Sequence, residues 1–188
     1  MDMDLRKKEL RREIREAAEA LDKEYCRMAD QAILRWAAAL PEYETAGTVF
    51  CFVGTSDEID TVPMLQDALA RGKKIGVPRC VARGIMEVCC LSSLDDLEKG
   101  SYGIMEPKEG TLLMRPEELE LAIVPCLSCS SDGKRLGHGG GYYDRYLEQT
   151  GAFRAVLCRG RSIREDIPMD VHDKRMDAVI SEDGIKRM

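Results

Sequence analysis

The sequence predicts a single α/β domain with three layers, in which helices flank a mostly parallel, twisted sheet of the Rossmann-like type. Short continuous apolar runs, such as residues 48–53, are typical of strands buried on both faces. These runs alternate with helical patterns, and that order predicts βαβ units with parallel strand pairs. The 188 residues suit one domain that covers residues 1–188.

Two helices are predicted before the alternating pattern begins. The first covers about residues 5–20, which are rich in Arg, Glu, Lys and Ala, with apolar residues at helical spacing. Asp22 is a candidate N-cap for the second helix, which runs to Leu40 and is ended by Pro41.

A βαβ unit is predicted next, and four further strands follow it. The strand at 48–53 leads through a loop into a helix at 61–70, with Thr61 as N-cap and Gly72 as terminator. The second strand closes at Pro78, and residues 92–110 read as a short helix followed by an irregular segment. The remaining strands are predicted at 85–91, 120–127, 153–158 and 177–181, and a helix at 142–149.

The charge balance excludes some classes of partner. The net charge is -6 and the pI is near 5.1, which argues against nonspecific binding to nucleic acid or to an anionic membrane. No apolar run is long enough to span a bilayer, and the charged N-terminal segment does not resemble a secretory signal. We therefore expect a cytoplasmic protein with small-molecule partners, as either a monomer or a homodimer.

Eight cysteines in a chain of this kind are expected to be free thiols rather than a disulfide framework. Cys126 and Cys129 form a C-x-x-C motif, which is half of a structural zinc site. Cys89 and Cys90 could supply the other half only if the fold brings them close, and adjacent cysteines are poorly spaced for chelation.

The segment RLGHGGGYYDRYL, residues 135–147, places four glycines within five residues directly before a helix. Backbone N–H groups at a helix start, made accessible by glycine, bind phosphate, whereas a tight turn is the simpler explanation. Flanking Arg135, His138 and Arg145 favour phosphate, although the segment is neither a G-x-G-x-x-G nor a Walker A motif. Asp144, in the first turn, suits either the helix dipole or a magnesium ligand.

The same segment resembles the motif R-[LI]-G-x-G-x-G-Y-Y-D-R-[YF]-L of the 5-formyltetrahydrofolate cyclo-ligase family. Five further segments are similar to family motifs in the same order. They are KKELR (7–11), DEIDT (57–61), GKKIGVPR (72–79), YGIMEP (102–107) and VHDKRMDAVISEDG (171–184). The resemblance implies a NagB/RpiA/CoA-transferase-like fold and conversion of 5-formyltetrahydrofolate to 5,10-methenyltetrahydrofolate, with ATP as co-substrate and Mg²⁺ as cofactor. In that reaction the formyl oxygen is phosphorylated, N10 attacks the carbon, and phosphate leaves.

The resemblance also implies roles for individual residues. A carboxylate such as Glu58 suits the N–H edge of a pterin, and Arg79 is a further candidate for neutralising phosphate. The implied magnesium ligands are Asp144 and Asp173. The implied folate-binding residues are Val53, Glu58, Tyr102, His138, Gly139, Gly140, Gly141 and Tyr142. The implied ATP-binding residues are Lys7, Arg11, Arg135, Leu136, Gly137, His138, Gly139, Gly140, Gly141, Tyr142 and Tyr143.

One segment departs from the family pattern. Where the family has P-G-L-[AG]-F-D, this chain has PCLSCSSDG, so Cys126 replaces glycine and Cys129 replaces an aromatic residue. We expect the lost aromatic to loosen one wall of the pocket. Two alternatives therefore stay open at this point: a nucleotide-binding regulatory module with impaired catalysis, and a zinc-stabilised protein.

Overall fold

Helices flank a central sheet in the computed structural model, which describes residues 3–100, 103–171 and 173–188. The α-helices are α1 (Met3–Glu19), α2 (Lys23–Ala38), α3 (Pro41–Thr45), α4 (Val62–Ala70) and α5 (Tyr142–Leu147). The strands of the central sheet are β1 (Thr48–Cys51), β2 (Lys74–Ala82), β3 (Ile85–Leu91), β6 (Leu121–Val124), β9 (Phe153–Leu157), β10 (Ala178–Ser181) and β11 (Gly184–Arg187). Two small hairpins pair β4 (Leu97–Lys99) with β5 (Met105–Pro107), and β7 (Ser128–Cys129) with β8 (Arg135–Leu136).

Within the described residues, the central sheet has the strand order β11-β10-β9-β6-β1-β2-β3. The neighbours from β10 to β2 pair in parallel, and β3 and β11 add antiparallel edges. The predicted α/β class with a mostly parallel sheet is confirmed. The chain order reverses direction between β1 and β6, so the loops that follow these two strands leave the same edge of the sheet side by side.

Both faces of the sheet are buried, which explains the continuous apolar runs in the sequence. Side chains alternate between the faces along each strand: Val49 and Cys51 pack on the face covered by α2, α3 and α4, whereas Phe50 packs on the other. The second face is closed by α5 and by the segment that contains Met114 and Leu119. The same alternation places Leu121, Ile123, Ala155 and Leu157 on the first face and Ala122, Val124 and Val156 on the second.

The helix boundaries follow local chemistry. Asp22 caps α2 as predicted, since its carboxylate accepts a hydrogen bond from the Tyr25 amide at 3.0 Å. Pro41 does more than end α2, because it occupies the first turn of α3, where its missing N–H costs nothing. Gly72 ends α4 with φ +70°, and the amides of Gly72 and Lys73 bond back to Leu69 and Ala68.

The first helix packs in a separate small cluster. Its buried residues, Leu10 and Ile14, contact Leu136 and Ile167, with Leu127 partly buried beside them. The remaining surface of α1 is charged, as its sequence requires. Among the described residues, no helix combines the length and the apolar character needed to cross a membrane.

Several sequence-based boundaries are wrong. β1, predicted to residue 53, ends at Cys51, and β6, predicted over 120–127, covers Leu121–Val124. β2 continues past Pro78 and forms a long hairpin with β3, and its pairing with β1 ends at Gly76, two residues before the proline. Residues 92–110 contain the β4–β5 hairpin after one 3₁₀ turn, rather than a helix and an irregular segment. The segment after β10 turns at 182–183 into β11, which was not predicted. α5 ends at Leu147 instead of residue 149.

Candidate active site

A cavity of about 780 Å³ opens at the carboxyl ends of the central strands. It lies where the strand order reverses, next to the loops that follow β1 and β6, and open α/β sheets bind ligands at this position. Apart from Arg79, the described residues to which the family resemblance gave a role all line it; these are Lys7, Arg11, Val53, Glu58, Arg135, Leu136, Gly137, His138, Gly139, Gly140, Gly141, Tyr142, Tyr143, Asp144 and Asp173. Tyr102 lies outside the described residues.

Thr61 ties the β1–α4 loop into its conformation. Its hydroxyl donates to the Phe52 carbonyl at 2.6 Å and accepts from the Gly54 amide at 3.1 Å. Thr61 stands at the N-cap position as predicted, but its side chain makes no capping bond to α4 because these loop bonds use it instead. The loop thereby carries Val53 and Glu58 to the cavity wall.

Glu58 is a mostly buried carboxylate that faces the glycine loop, residues 137–141. It accepts from the Thr55 amide and the Thr55 hydroxyl, both at 3.1 Å, and lies 3.3 Å from His138 Nε2. Burial alone would raise the pKa of Glu58, but the bonds from His138 and Thr55 outweigh burial and hold that pKa below its usual range. The side chain therefore presents negative charge to the cavity at neutral pH.

The glycine loop depends on backbone conformations that other residues rarely adopt. Gly139 has φ +101°, and Gly141, the N-cap of α5, has φ +67°. Arg145 crosslinks this loop to the β2–β3 hairpin, since one terminal nitrogen donates to the Gly140 carbonyl at 3.0 Å and the Gly84 carbonyl at 2.9 Å. Because α5 has only six residues, the loop relies on these bonds and on nearby cations more than on a helix dipole.

Arg135 is the most deeply buried cation of the cavity, with 4% of its side chain exposed. It donates to the Pro125 carbonyl at 3.1 Å and to Asp144 Oδ2 at 2.8 Å, and its guanidinium lies 5.5 Å from the centre of the Tyr143 ring. Its Nε has no acceptor among the described residues. A buried donor without a partner is costly, so this nitrogen is available for a ligand.

Two further cations reach the cavity from α1. Lys7 forms an ion pair of 2.6 Å with Asp173, and Arg11 Nε donates to the Gly137 carbonyl at 2.9 Å. Burial, together with the positive charge of nearby Arg15, lowers the pKa of Arg11 from its usual value. Lys7, Arg11 and Arg135 are named the cationic group below. The carboxylates Asp144 and Asp173 are the ion-pair partners of Arg135 and Lys7.

The chemistry of Asp144 and Asp173 fits a magnesium ion. Carboxylate oxygens are its preferred protein ligands, and one or two of them suffice when substrate phosphates supply the rest. Both carboxylates line the same cavity as the glycine loop, and each is balanced by a cation in this structure.

The opposite wall comes from the β1–β3 side of the sheet and is apolar. Its residues, named the apolar group below, are Phe52, Val53, Pro78, Met86 and Ile104. Sequence reasoning missed all of these except Val53, because an apolar residue near a strand reads as core until the arrangement of the loop after β1 and of the hairpins is known.

Glu106 is a second buried acid on this wall, and it accepts from the Cys80 amide at 3.1 Å. Its signal was already in the sequence, since it belongs to the segment YGIMEP, but no role was attached to it.

Two sequence-based expectations need correction, and a third stays a prediction. Arg79 does not belong to the cavity; it pairs with Glu87 at 2.9 Å and lines a neighbouring pocket. Neither Cys126 nor Cys129 is among the described lining residues, and the expected loosening of a wall by the lost aromatic stays a prediction. A zinc site with Cys89 and Cys90 is not formed, because β3 lies at the far edge of the sheet from the C-x-x-C motif.

Known proteins resemble this chain over nearly its whole length. A model of the 5-formyltetrahydrofolate cyclo-ligase family matches residues 4–182. A 5-formyltetrahydrofolate cyclo-ligase of Mus musculus is 29% identical over 191 aligned positions, covering 95% of this chain and 94% of the relative. A probable 5-formyltetrahydrofolate cyclo-ligase of Schizosaccharomyces pombe is 28% identical and covers 83% of this chain and 85% of the relative.

Solved structures agree with the sequence matches. The NMR structure of 5,10-methenyltetrahydrofolate synthetase from Aquifex aeolicus superposes with a TM-score of 0.84 at 27% identity, covering 96% of this chain and 92% of that one. A 5,10-methenyltetrahydrofolate synthetase from Mycoplasma pneumoniae shares the fold, with a TM-score of 0.76 at 19% identity, covering 94% of this chain and 98% of that one. With residues 4–182 matched by the family model, this chain belongs to the 5-formyltetrahydrofolate cyclo-ligase family.

Proposed function

We propose that this protein uses ATP to convert 5-formyltetrahydrofolate to 5,10-methenyltetrahydrofolate, with release of ADP and phosphate. The observation that carries the proposal is the composition of a single cavity. A glycine loop and three cations from distant parts of the chain meet an apolar wall with a buried carboxylate. Such a cavity suits a polyphosphate beside a flat heterocycle.

The cationic group would bind the ATP phosphates. Lys7, Arg11 and Arg135 carry positive charge into a site with limited access to water, where charge-assisted hydrogen bonds to phosphate are strong. Arg135 Nε would donate to a phosphate oxygen without giving up an existing bond. Lys7 and Arg135 would exchange their carboxylate partners for phosphate oxygens.

Asp173 and Asp144, once released by those cations, would hold Mg²⁺. The ion would neutralise charge on the phosphates that develops during transfer.

The apolar group would hold the pterin ring. Phe52, Pro78 and Met86 offer surfaces for a planar ring, and Glu58 would accept hydrogen bonds from its N–H edge. His138 lies next to Glu58 with about half of its side chain exposed, in a position to cover the ring. We assign no proton transfer to His138.

The chemistry requires activation of a poor leaving group. The formyl oxygen on N5 attacks the γ-phosphorus of ATP, and the bond from that phosphorus to ADP breaks. N10 then attacks the former formyl carbon, its proton is lost, and the carbon–oxygen bond breaks as phosphate leaves. The protein contributes mainly by positioning and by charge stabilisation. We propose the cytoplasm as its location, because eight free thiols suit a reducing compartment.

The reaction can be tested by following the near-ultraviolet absorbance of the methenyl product. Purified protein is mixed with 5-formyltetrahydrofolate, ATP and Mg²⁺, and each component is omitted in turn. Absorbance that grows only in the complete mixture supports the proposal. If ATP binds but no product forms, the reaction assignment is wrong and the chain is a nucleotide-binding regulatory module.

A further inference from the structure

Three thiols converge at the same edge of the sheet, outside the cavity. The Sγ atoms of Cys126, Cys129 and Cys158 all lie within 4.8 Å of one another. The fold explains the convergence: β6 and β9 pair in parallel with Val124 opposite Val156, and Cys126 and Cys158 each lie two residues beyond this pair. The following turn returns β7 over this edge and adds Cys129.

The size of this triangle matches metal coordination. Three thiolates at about 2.3 Å from a shared ion stand about 4 Å apart, which the observed separations allow. A disulfide needs only two sulfurs, about 2.05 Å apart. Cys129 and Cys158 are buried, at 0% and 3% exposure, whereas Cys126 is partly exposed and gives an ion a way in.

A metal ion binds cysteine as thiolate, so an ion held by all three sulfurs displaces their protons. Its affinity therefore falls as the pH falls.

We propose that Cys126, Cys129 and Cys158 form a binding site for one thiophilic d¹⁰ metal ion, Zn²⁺ or Cu⁺. Soft thiolate ligands select these ions over Mg²⁺, so the site is chemically separate from the carboxylates of the cavity. No fourth His, Cys, Asp or Glu among the described residues belongs to the cluster. Cu⁺ would accept three thiolates alone, whereas Zn²⁺ would add water or a small thiol.

An ion at this site would stabilise the segments that position Arg135 in the candidate active site. Cys129 pairs with Arg135 across the β7–β8 hairpin, and Pro125, next to Cys126, accepts a hydrogen bond from Arg135. One ion would join the ends of β6 and β9 to β7, which pairs with the strand that carries Arg135. We expect bound metal to raise the melting temperature, because it stabilises only the folded arrangement.

The test uses the full chain, reduced with a phosphine and freed of metal by dialysis against a chelator. Zn²⁺ is titrated in competition with a chromophoric chelator, and Cu⁺ anaerobically in competition with bicinchoninate. We expect one ion per chain with a dissociation constant below micromolar, and a higher melting temperature in the loaded protein. Whichever ion binds stoichiometrically identifies the occupant.

Single cysteine substitutions test which thiols bind the ion. Cys126→Ser and Cys158→Ser should each weaken binding at least 100-fold, whereas Cys51→Ser, a buried thiol outside the cluster, should leave it unchanged. Cys126→Ser is the safer variant, since Cys126 is partly exposed. The proposal is overturned if neither ion binds stoichiometrically, or if Cys126→Ser binds as tightly as the wild type. Methenyl product formation is measured separately, so failure here does not bear on the proposed reaction.

Discussion

The two walls of the cavity are built in different ways. The cationic group is assembled by long-range pairs: Lys7 meets Asp173 across 166 positions, and Arg11 meets Gly137 across 126. The opposite wall is assembled locally, by the loop from Val53 to Thr61 and by the β2–β3 hairpin. One wall therefore depends on the whole fold, whereas the other depends on its own turns.

The two walls also differ in how their charged side chains are paired. Each ion pair of the cationic group combines a cation with an acid, and ligand phosphates must compete with those acids. The Glu58 carboxylate is held by the Thr55 amide and hydroxyl and by His138, and among the described residues no Lys or Arg forms an ion pair with it. Substitutions on the two walls should consequently affect different substrates.

The largest effect is expected from Asp144→Asn. This change removes a proposed magnesium ligand and the charge partner of buried Arg135, so we expect a loss of about 100-fold or more in turnover. The free energy of unfolding should fall by about 1–3 kcal/mol, because Arg135 keeps its charge without a counter-ion. Product absorbance and urea denaturation measure the two effects. Glu148→Gln, an exposed acid at the end of the same helix, is the control, and near-normal turnover of Asp144→Asn at limiting Mg²⁺ would contradict the assigned role.

Glu58→Gln should affect the folate alone. The amide keeps the shape but loses the negative charge offered to the pterin, so we expect the KM for 5-formyltetrahydrofolate to rise about tenfold. The KM for ATP should change by less than about twofold, since the cationic group is untouched. Steady-state kinetics with each substrate varied in turn makes the comparison. Equal changes in both KM values would mean that Glu58 does not face the folate.

Arg145→Ala should have a smaller effect, because Arg145 holds the glycine loop without belonging to the cationic group. Without its bonds to the Gly84 and Gly140 carbonyls, the loop is held less firmly, and the KM for ATP should rise about fivefold. This change corresponds to a loss of roughly 1 kcal/mol in binding free energy. Arg145→Lys should recover part of the loss, and Arg83→Ala, at an exposed neighbour of Gly84, should resemble the wild type. An unchanged KM in Arg145→Ala would show that the loop holds its shape without the hairpin.

The smallest effect concerns stability in acid. The ionised form of Glu58 stabilises the folded chain above the carboxyl pKa of the unfolded chain, about 4.3, and this contribution is lost as pH falls through the lower folded pKa. The difference in unfolding free energy between wild type and Glu58→Gln should narrow as the pH falls from about 4.3 through the folded pKa of Glu58. Urea denaturation at several pH values measures it, and a difference that widens in acid would reverse the assigned sign.

Much of the fold follows from patterns that are local in sequence. Continuous apolar runs predicted β1, β6, β9 and β10, because strands buried on both faces need apolar residues at every position. The β2–β3 hairpin was harder to predict, because a proline in an apolar run indicates the end of a strand. β2 continues through Pro78 because its partner there is β3, whereas its pairing with β1 has already ended. β11 had a signal, Asp183-Gly184, which is typical of a tight hairpin turn.

The residues of the candidate site could be predicted where they belong to a sequence motif. They could not be predicted where only the fold brings them to the cavity. The glycine loop and its neighbours stand in one recognisable segment, and the structure brings them together with Lys7, Arg11 and Asp173. Met86 has no local signal, because any apolar residue in a hairpin reads as core, and Ile104 has one only through the segment YGIMEP. The proximity of Cys126 and Cys158 could not be predicted, because it depends on the register between β6 and β9, and the sequence alone does not show which strands pair.

The small cluster under α1 has a consequence for motion. Leu10 and Ile14 hold α1 against Leu136 and Ile167, apart from the two large cores of the sheet. Detaching this helix exposes little apolar surface, so local opening costs less free energy than global unfolding. Each opening withdraws Lys7 and Arg11 from the cavity while the sheet stays intact. A ligand that binds those two side chains would therefore slow hydrogen exchange most strongly in the first helix.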